Sequence, residues 1–377
     1  MKVFVTAGEA SGDKLGAAFM RGFKALCPDV EFQGVGGPLM EAEGLVSIFP
    51  MDEISIMGIV EILKEYKALR RRIRQTADHV LEWRPDVVVT IDLPEFSLRV
   101  NGLIKAASNI RVVHYVAPTV WAWRPGRAKK MVGVVDQVLA LLPFEPPYME
   151  AVGIACDFVG HPVVLEPVAT VEEAEEWRAE QGFAEGDLCL VLPGSRRSEV
   201  LRLLPIFREV VAELITRRPG IHFVLPAGRA VETLVREAVA DWPVPVQVID
   251  SKDVPGKRAA FRAADVALAA SGTVSLELAA SGCPMVIAYD MSWLSRQVIG
   301  RLLLVDTVTL VNLVSETRAV PEFIGKNCVP SRICEGVLAV LDHPEGQQAA
   351  MDLTMERLGR DGEEPGLRAA RAVLNKL

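Results

Sequence analysis

Two carboxylates lie close together near the amino terminus, in a glycine-containing loop that could bind a ligand. Glu9 and Asp13 flank Ser11 and Gly12, and the loop follows a short apolar run and precedes a stretch of helical periodicity. Glycines allow the backbone to approach a ligand, and the free amides of a helix N-terminus attract anionic or hydroxyl-rich groups. Ligand binding is favoured because a helix cap needs only one such side chain, but the alternative is that Ser11 or Asp13 simply caps the helix.

A third carboxylate, Asp92, follows the apolar run at 87–91. Ligands of open α/β sheets bind outside the carboxyl ends of the strands, so a carboxylate at this point is placed to act as a general base. Pro94 restricts the loop that presents it. The alternative interpretation of Asp92 is an ordinary Asx turn.

Two further loops predict a site for a nucleoside diphosphate. Gly194, Ser195 and Arg196 follow the apolar run at 188–192, where backbone amides and a guanidinium can bind phosphate. A solvated arginine at a helix start is the alternative, and the helix dipole disfavours it unless an anion is present.

The second of these loops combines a glycine turn with a carboxylate one helical turn later. Ser271, Gly272 and Thr273 follow another apolar run, and Glu277 lies four residues beyond Thr273. A carboxylate at that spacing lies on the same helix face and can accept hydrogen bonds from ribose hydroxyls. The alternative is an exposed helix glutamate without a partner.

Short apolar runs that alternate with helical segments must position these loops, which predicts an α/β fold with two doubly wound parallel sheets. A proline-rich break at 160–167 divides the chain into domains 1–164 and 165–346. The polar helical segment 347–377 is expected to pack on the first domain or on a second copy of the chain, which leaves a homodimer open. The predicted strands are 3–7, 87–91, 112–116 and 137–141, then 188–192, 221–225, 246–249, 266–269 and 285–288.

Composition excludes several classes of protein. The 377 residues are 50% hydrophobic with a net charge of −8, which is typical of a globular protein and argues against nucleic-acid binding. The 6 cysteines and 5 histidines form no metal-ligand pattern, so we expect reduced thiols and no metal. The sequence has neither a signal-peptide core nor a membrane-spanning run, so we expect a cytoplasmic protein.

Residues 56–74 predict contact with a membrane surface. Apolar positions at 56–63 adjoin a basic cluster at 64–74, as in an interfacial helix on anionic lipid. The alternative is a core helix with a charged outer face. Trp121 and Trp123 are expected either in the core or beside bound acyl chains.

Together these motifs resemble the lipid-A-disaccharide synthase family, which is glycosyltransferase family 19. The resemblance runs in family order, with Ala10 at a position where the family often has Thr. The shared motifs are 8–13 (GEASGD), 35–40 (VGGPLM), 56–61 (IMGIVE), 91–94 (IDLP), 120–124 (VWAWR), 141–145 (LLPFE), 160–162 (GHP), 192–196 (LPGSR), 271–273 (SGT) and 311–313 (VNL).

The resemblance implies a GT-B fold, with two Rossmann-like domains facing a central cleft, the UDP-sugar in the second and the acceptor in the first. It implies inverting, metal-independent transfer of 2,3-diacylglucosamine from its UDP carrier to the 6-hydroxyl of 2,3-diacylglucosamine 1-phosphate. The product is a β-1,6 disaccharide 1-phosphate, made on the inner face of the cytoplasmic membrane of a Gram-negative bacterium.

The resemblance also assigns roles to residues. Asp92 matches the base, Arg196 binds the diphosphate, and Glu277 and Asn312 belong to the nucleotide site. Glu9 and Asp13 remain alternative catalytic carboxylates in a loop that faces the sugar. The alternatives to this function are another UDP-hexosamine enzyme, such as a 2-epimerase or a hexosaminyltransferase, and a non-catalytic UDP-sugar-binding protein.

Overall fold

The computed structural model describes residues 1–55, 59–123, 125–291 and 304–377, and these form two compact units. The first unit comprises Met1–Pro162 and Asp361–Leu377, and the second comprises Val163–Arg360. The first domain thus ends at 162, where 164 was expected. The predicted terminal segment 347–377 is divided between the two units and is not a single body.

The first unit contains a parallel sheet of 7 strands flanked by helices. Its strands are β1 (Lys2–Thr6), β2 (Glu31–Val35), β3 (Val46–Ser47), β4 (Val87–Ile91), β5 (Arg111–Tyr115), β6 (Gln137–Ala140) and β7 (Ala155–Phe158). Its helices before residue 163 are α1 (Ala10–Leu26), α2 (Pro38–Ala42), α3 (Ile59–Trp83), α4 (Pro94–Ala107), α5 (Gly126–Lys129) and α6 (Pro146–Glu150). The strand order is β3-β2-β1-β4-β5-β6-β7, so the chain reverses direction across the sheet between β1 and β4.

The second unit repeats this plan with 6 parallel strands. Its elements are α7 (Val171–Glu180), β8 (Leu188–Leu192), α8 (Arg197–Arg217), β9 (His222–Pro226), α9 (Glu232–Val239), β10 (Gln247–Ile249), α10 (Val254–Ala263), β11 (Val266–Ala270), α11 (Val274–Ser281), β12 (Met285–Tyr289), α12 (Leu310–Ser315), β13 (Glu322–Ile324), α13 (Pro330–Asp342) and α14 (Glu345–Arg357). The order β10-β9-β8-β11-β12-β13 places its reversal between β8 and β11.

Strands β4, β8 and β11 are buried along their whole length, as expected for apolar runs covered by helices on both faces. In the first unit, one face of the sheet packs on α1, with Phe19 and Phe23 buried there. The other face packs on α3 and α4, where Phe96 and Ile104 are buried. The sheet therefore forms the middle layer of the unit, and its strand ends carry the loops.

The terminal helices separate at residue 360 because each has its own partner. In α14, Thr354 Oγ1 donates a hydrogen bond to Val311 O at 3.3 Å, within the second unit. The last helix, α15 (Pro365–Leu374), packs on α1 of the first unit. Gly366 permits that close approach, because a Cβ at this position would lie 2.4 Å from Ala18 O. Packing on a second copy of the chain stays a prediction.

Candidate functional site

The first group of predicted residues lies at the β1–β4 reversal, where two loops leave the carboxyl edge of the sheet. The loop after β1 contacts the loop after β4, because a Cβ added to Gly8 would lie 2.0 Å from Leu93 Cδ1. Glu9 is the N-cap residue of α1 and is half-buried, Ser11 is exposed, and Gly12 is buried in the first turn. The structure therefore brings the glycine loop and the Asp92 loop together at the position where ligands bind in such sheets.

Asp92 occupies a strained position at the end of β4. Asp92 and Leu93 have φ values of 49° and 46°, in the left-handed region that costs a non-glycine residue about 1–3 kcal/mol. The backbone is held there because Asp92 N donates to Tyr115 O at 2.9 Å and Ser97 Oγ donates to Asp92 O at 2.7 Å. Strain that is maintained by neighbouring hydrogen bonds is common at functional sites.

The Asp92 carboxyl is half-buried, and burial raises its pKa above the usual 3.8. The N–H of Leu93 and the positive charge of Arg127 oppose that rise. Burial of a carboxyl strengthens it as a base, since a general base works best with a pKa near the operating pH. The geometry thus fits the role predicted for Asp92.

Asp13 differs from the prediction of a catalytic carboxylate. It is buried, and its oxygens accept hydrogen bonds from the backbone of the loop that begins α2: Gly37 N at 2.9 Å, Met40 N at 3.0 Å and Leu39 N at 3.0 Å. The carboxylate therefore caps a helix 24–27 residues away in sequence. The expected alternative, that Asp13 caps its own helix, is not what the structure shows either.

The second group lines one cavity of about 400 Å³ at the β8–β11 reversal, here called the nucleotide pocket. All but one of the residues predicted to bind the nucleotide are in its wall. Those residues are Gly194, Ser195, Arg196, Ser271, Gly272, Thr273 and Glu277. Two loops that are about 75 residues apart in the chain are thus brought together by adjacent strands.

Arg196 is the N-cap residue of α8, and its side chain is 71% exposed. Its Nη1 lies 3.1 Å from Glu199 Oε1, so the protein itself supplies an anion that was not predicted. Gly194 has φ 107°, and a Cβ there would lie 2.7 Å from Glu199 Oε2. The glycine is therefore required for the loop to turn over Glu199.

Glu277 has a partner that the sequence did not reveal. Its Oε2 accepts a hydrogen bond from Lys257 Nζ at 2.8 Å, and Lys257 also lies over the ring of Phe261. Lys257 and Phe261 come from α10, and both line the nucleotide pocket. Pro226 at the end of β9 and Gly228 just beyond it line the same pocket. A glycine three residues after the predicted strand 221–225 was a usable signal for the β9 loop, whereas nothing local to α10 identified Lys257.

Asn312 does not line the nucleotide pocket, in contrast to the prediction. It is buried in α12, where its amide nitrogen donates to Val320 O at 2.9 Å and to Thr307 Oγ1 at 3.3 Å. Its amide oxygen accepts from Val320 N at 3.0 Å. The amide therefore holds the segment that precedes β13, and its hydrogen-bonding groups are already used.

Two buried titratable groups in the first unit were not predicted as functional. Glu145 is buried, and its carboxylate accepts hydrogen bonds from Leu142 N at 3.0 Å and Trp121 Nε1 at 3.3 Å. Burial raises the pKa of Glu145 to about 7. His114 on β5 is also buried, which lowers its pKa to about 4, and its Nδ1 lies 2.9 Å from Thr90 Oγ1. Trp121, which was expected either in the core or beside bound acyl chains, is buried in the core.

The predicted membrane segment 56–74 is described only in part. Residues 56–58, the side chains of 59–66 and Arg124 lie outside the described residues. A basic surface cavity of about 750 Å³ is present nearby, and it is lined by Lys67, Arg70, Arg71, Ile73, Arg74, Arg99 and Leu103. Within the described ranges, every helix is too short or too polar to cross a membrane.

Comparison with known proteins identifies similar sequences over the whole chain. The family model described as lipid-A-disaccharide synthetase matches residues 3–374. The lipid-A-disaccharide synthase of Ruegeria pomeroyi is 57% identical, with 100% of this chain and 96% of that protein covered. That of Rhodospirillum centenum is 45% identical, with coverages of 99% and 94%.

Solved structures with a similar fold are more distant in sequence. UDP-GlcNAc 2-epimerase from Neisseria meningitidis, bound to UDP-GlcNAc, has a TM-score of 0.64 at 14% identity, with 100% of this chain and 99% of that chain covered. A glycosyltransferase from Rickettsia africae has a TM-score of 0.61 at 12% identity, with coverages of 100% and 97%. These likenesses concern the fold alone, and they confirm the predicted GT-B class.

Proposed function

Since the chain belongs to the lipid-A-disaccharide synthase family and is an enzyme that forms the lipid A disaccharide, we propose which substrate each unit binds and which residues act in the reaction. The second unit binds the UDP portion of UDP-2,3-diacylglucosamine, and the first unit binds 2,3-diacylglucosamine 1-phosphate. The observation that carries the proposal is the convergence of seven separately predicted residues on one nucleotide pocket. Family membership also removes the epimerase and the non-catalytic binding protein as alternatives.

In the second unit, the diphosphate binds to the two loops at the strand ends. Backbone amides at Gly194, Ser195 and Gly272 donate to its oxygens, while Arg196 turns from Glu199 toward the more highly charged ligand. Support comes from the exposure of Arg196 and from its place in the pocket wall. Glu277 retains one carboxylate oxygen that Lys257 does not occupy, and this oxygen accepts from the ribose.

In the first unit, Asp92 is the general base. Its carboxylate takes the proton of the acceptor 6-hydroxyl while O6 forms a bond to C1 of the donor sugar. The bond from C1 to the UDP oxygen breaks in the same step, so the α-linked donor gives a β-linked product. The raised pKa and the position of Asp92 at the β4 end support this role.

The other carboxylates of the first unit have different roles in this proposal. Asp13 positions the α2 loop, because three backbone amides already occupy its oxygens. Glu9, together with Ser11 and Gly12, contacts the sugar. The leaving UDP is stabilised without a metal, since two helices, α8 and α11, begin at the pocket and Arg196 and Lys257 add positive charge.

We further propose that the enzyme works on the inner face of the cytoplasmic membrane, where its acylated substrates reside. The basic surface of Arg70, Arg71 and Arg74 on α3, with Arg99 on α4, supports attraction to anionic lipid. Binding to vesicles that contain anionic phospholipid should weaken as salt is added, whereas neutral vesicles should bind poorly at any salt concentration. Equal binding to both kinds of vesicle would contradict this part of the proposal.

The decisive experiment measures disaccharide formation from the two substrates in detergent with a metal chelator. Wild-type protein should make the tetraacyl disaccharide 1-phosphate, and Asp92→Asn should lower kcat by roughly 100- to 10,000-fold while UDP affinity is retained. Glu95→Gln is the matched control, since Glu95 is an exposed carboxylate three residues away. Full activity of Asp92→Asn would exclude Asp92 as the base, and a requirement for added metal would exclude the metal-independent step.

A further inference from the structure

Arg127 is a half-buried cation that lies near the proposed base. It belongs to α5, and its positive charge opposes the rise in the pKa of Asp92 that burial causes. No side chain in the described part of the chain forms an ion pair or a hydrogen bond with the Arg127 guanidinium. An arginine that is partly removed from water without such a partner is unfavourable unless a ligand supplies an anion.

The same short helix borders an apolar groove of about 440 Å³ in the first unit. Val120, Pro125 and Ala128 line this groove, as do Tyr148 and Ala151 of the α6 region. Tyr148 is 42% exposed, so an aromatic ring lies uncovered at the groove. An apolar surface of this kind fits a hydrocarbon chain, and Lys129 adds a positive charge at its rim.

We propose that Arg127 and this groove form the acceptor subsite, in which Arg127 binds the anomeric phosphate and the groove holds an acyl chain. The inference rests on the proposed function, which provides an acceptor with both groups. The phosphate is attached to C1 of the glucosamine and one acyl chain to C2, so the two groups diverge from neighbouring carbon atoms. A cation and an apolar groove on the same short helix match that arrangement.

The position of Arg127 has a consequence for the base. The acceptor phosphate is anionic, and without a cation nearby it would repel the Asp92 carboxylate and favour its protonated form. A guanidinium that binds the phosphate offsets this repulsion, so Asp92 stays ionised when the acceptor is bound. Arg127 therefore binds the acceptor phosphate and also keeps Asp92 ionised in the same complex.

A comparison of two acceptors tests the phosphate contact. The value of kcat/KM is measured for 2,3-diacylglucosamine 1-phosphate and for the same sugar without phosphate, with wild type and Arg127→Ala. The variant should lose about 10- to 100-fold with the phosphorylated acceptor and less than about 3-fold with the other, as expected for one charge-assisted contact. Arg21→Ala, which removes an exposed arginine of α1, is the control and should change neither value.

The outcomes distinguish a failure of the proposed acceptor subsite from a failure of the proposed reaction. Equal losses with both acceptors would overturn the phosphate contact, because Arg127 would then act through Asp92 or through folding. If wild-type protein forms product from neither acceptor, the proposed function itself fails. Arg127→Lys should recover part of the loss with the phosphorylated acceptor only, since an ammonium retains the charge.

Acyl-chain length tests the groove. Ala151→Phe narrows it, and Ala106→Phe is the matched control on the exposed end of α4. Each methylene that leaves the groove should cost about 4-fold in kcat/KM, from about 0.8 kcal/mol per buried CH₂. Ala151→Phe should therefore lower the preference for 14-carbon over 8-carbon acceptor chains by more than 10-fold. An unchanged preference in Ala151→Phe, with Gly126→Leu giving the same result, would overturn the groove assignment.

Discussion

The buried carboxyl of Glu145 should make the stability of the protein depend on pH in a characteristic direction. Glu145 is 4% exposed, and burial raises the pKa of its carboxyl from 4.5 to about 7. The N–H of Leu142 and the indole of Trp121 stabilise the ionised form but only partly offset burial. In the unfolded chain the carboxyl is in water and titrates near 4.5.

The sign and size of the effect follow from proton linkage. Between pH 4.5 and about 7 the folded protein keeps this proton and the unfolded chain loses it, so the free energy of unfolding falls as pH rises. Each pH unit inside that window contributes about 1.4 kcal/mol, so roughly 2.5 kcal/mol is lost between pH 5 and pH 8. Below the window both states are protonated, and above it both are ionised.

Urea denaturation at pH 5 and pH 8 measures this loss. Glu145→Gln cannot ionise, so its free energy of unfolding should fall by about 2.5 kcal/mol less than that of wild type over the same interval. Any hydrogen bond that glutamine forms poorly with Trp121 or Leu142 costs the same at both pH values and cancels. Glu150→Gln, which changes an exposed carboxyl five residues away, should behave as wild type. Parallel falls in wild type and Glu145→Gln would refute the argument.

Three further substitutions have expected outcomes. His114 should have the opposite effect, because burial lowers its pKa to about 4. Between pH 4 and 6.5 it contributes a rise in stability that opposes the fall caused by Glu145, and His114→Asn should lose about 3 kcal/mol of that contribution relative to wild type in urea denaturation. Arg196→Ala should weaken UDP binding in calorimetry by about 10- to 100-fold, whereas Arg197→Ala should not, and equal losses would contradict the diphosphate contact. Asp13→Asn should lower the free energy of unfolding by about 2–4 kcal/mol, because an amide nitrogen would face backbone N–H groups, and a loss below 0.5 kcal/mol would contradict this.

The sequence predicted the central strands of both sheets and the edge strand β10, but not β2, β3, β7 or β13. The run at 188–192 is apolar throughout and that at 87–91 is apolar except for Thr90, and they form β8 and β4, which are buried on both faces. The unpredicted strands β2, β3, β7 and β13 are shorter or contain exposed polar residues, so they have no continuous apolar run. Edge strands contact a helix layer less completely, and their sequences are correspondingly less constrained.

The residues that line the nucleotide pocket were predicted more fully than the groups that form hydrogen bonds with the predicted residues. Glycine turns that directly follow buried strands identified Gly194 and Gly272, because the carboxyl ends of adjacent parallel strands meet at one edge. Lys257 was missed, since only the packing of α10 brings it to Glu277. The predictions for Asp13 and Asn312 identified polar residues correctly but not their partners, which are other segments of the chain.

At the carboxyl edge of the first sheet, two neighbouring strands end in residues with strained backbone conformations, close to the groups proposed to act on the acceptor. Asp92 at the end of β4 and Val116 at the end of β5 have φ values of 49° and 85°, and the valine is β-branched, so both positions are costly. Each is held because its N–H donates to the next strand, Asp92 to Tyr115 O at 2.9 Å and Val116 to Leu139 O at 3.0 Å. The first turn presents the Asp92 carboxyl, and the second redirects the chain into the segment that carries Arg127. Since relaxation of either turn would move one of these groups, we infer that the strain persists because it keeps the base and the cation together.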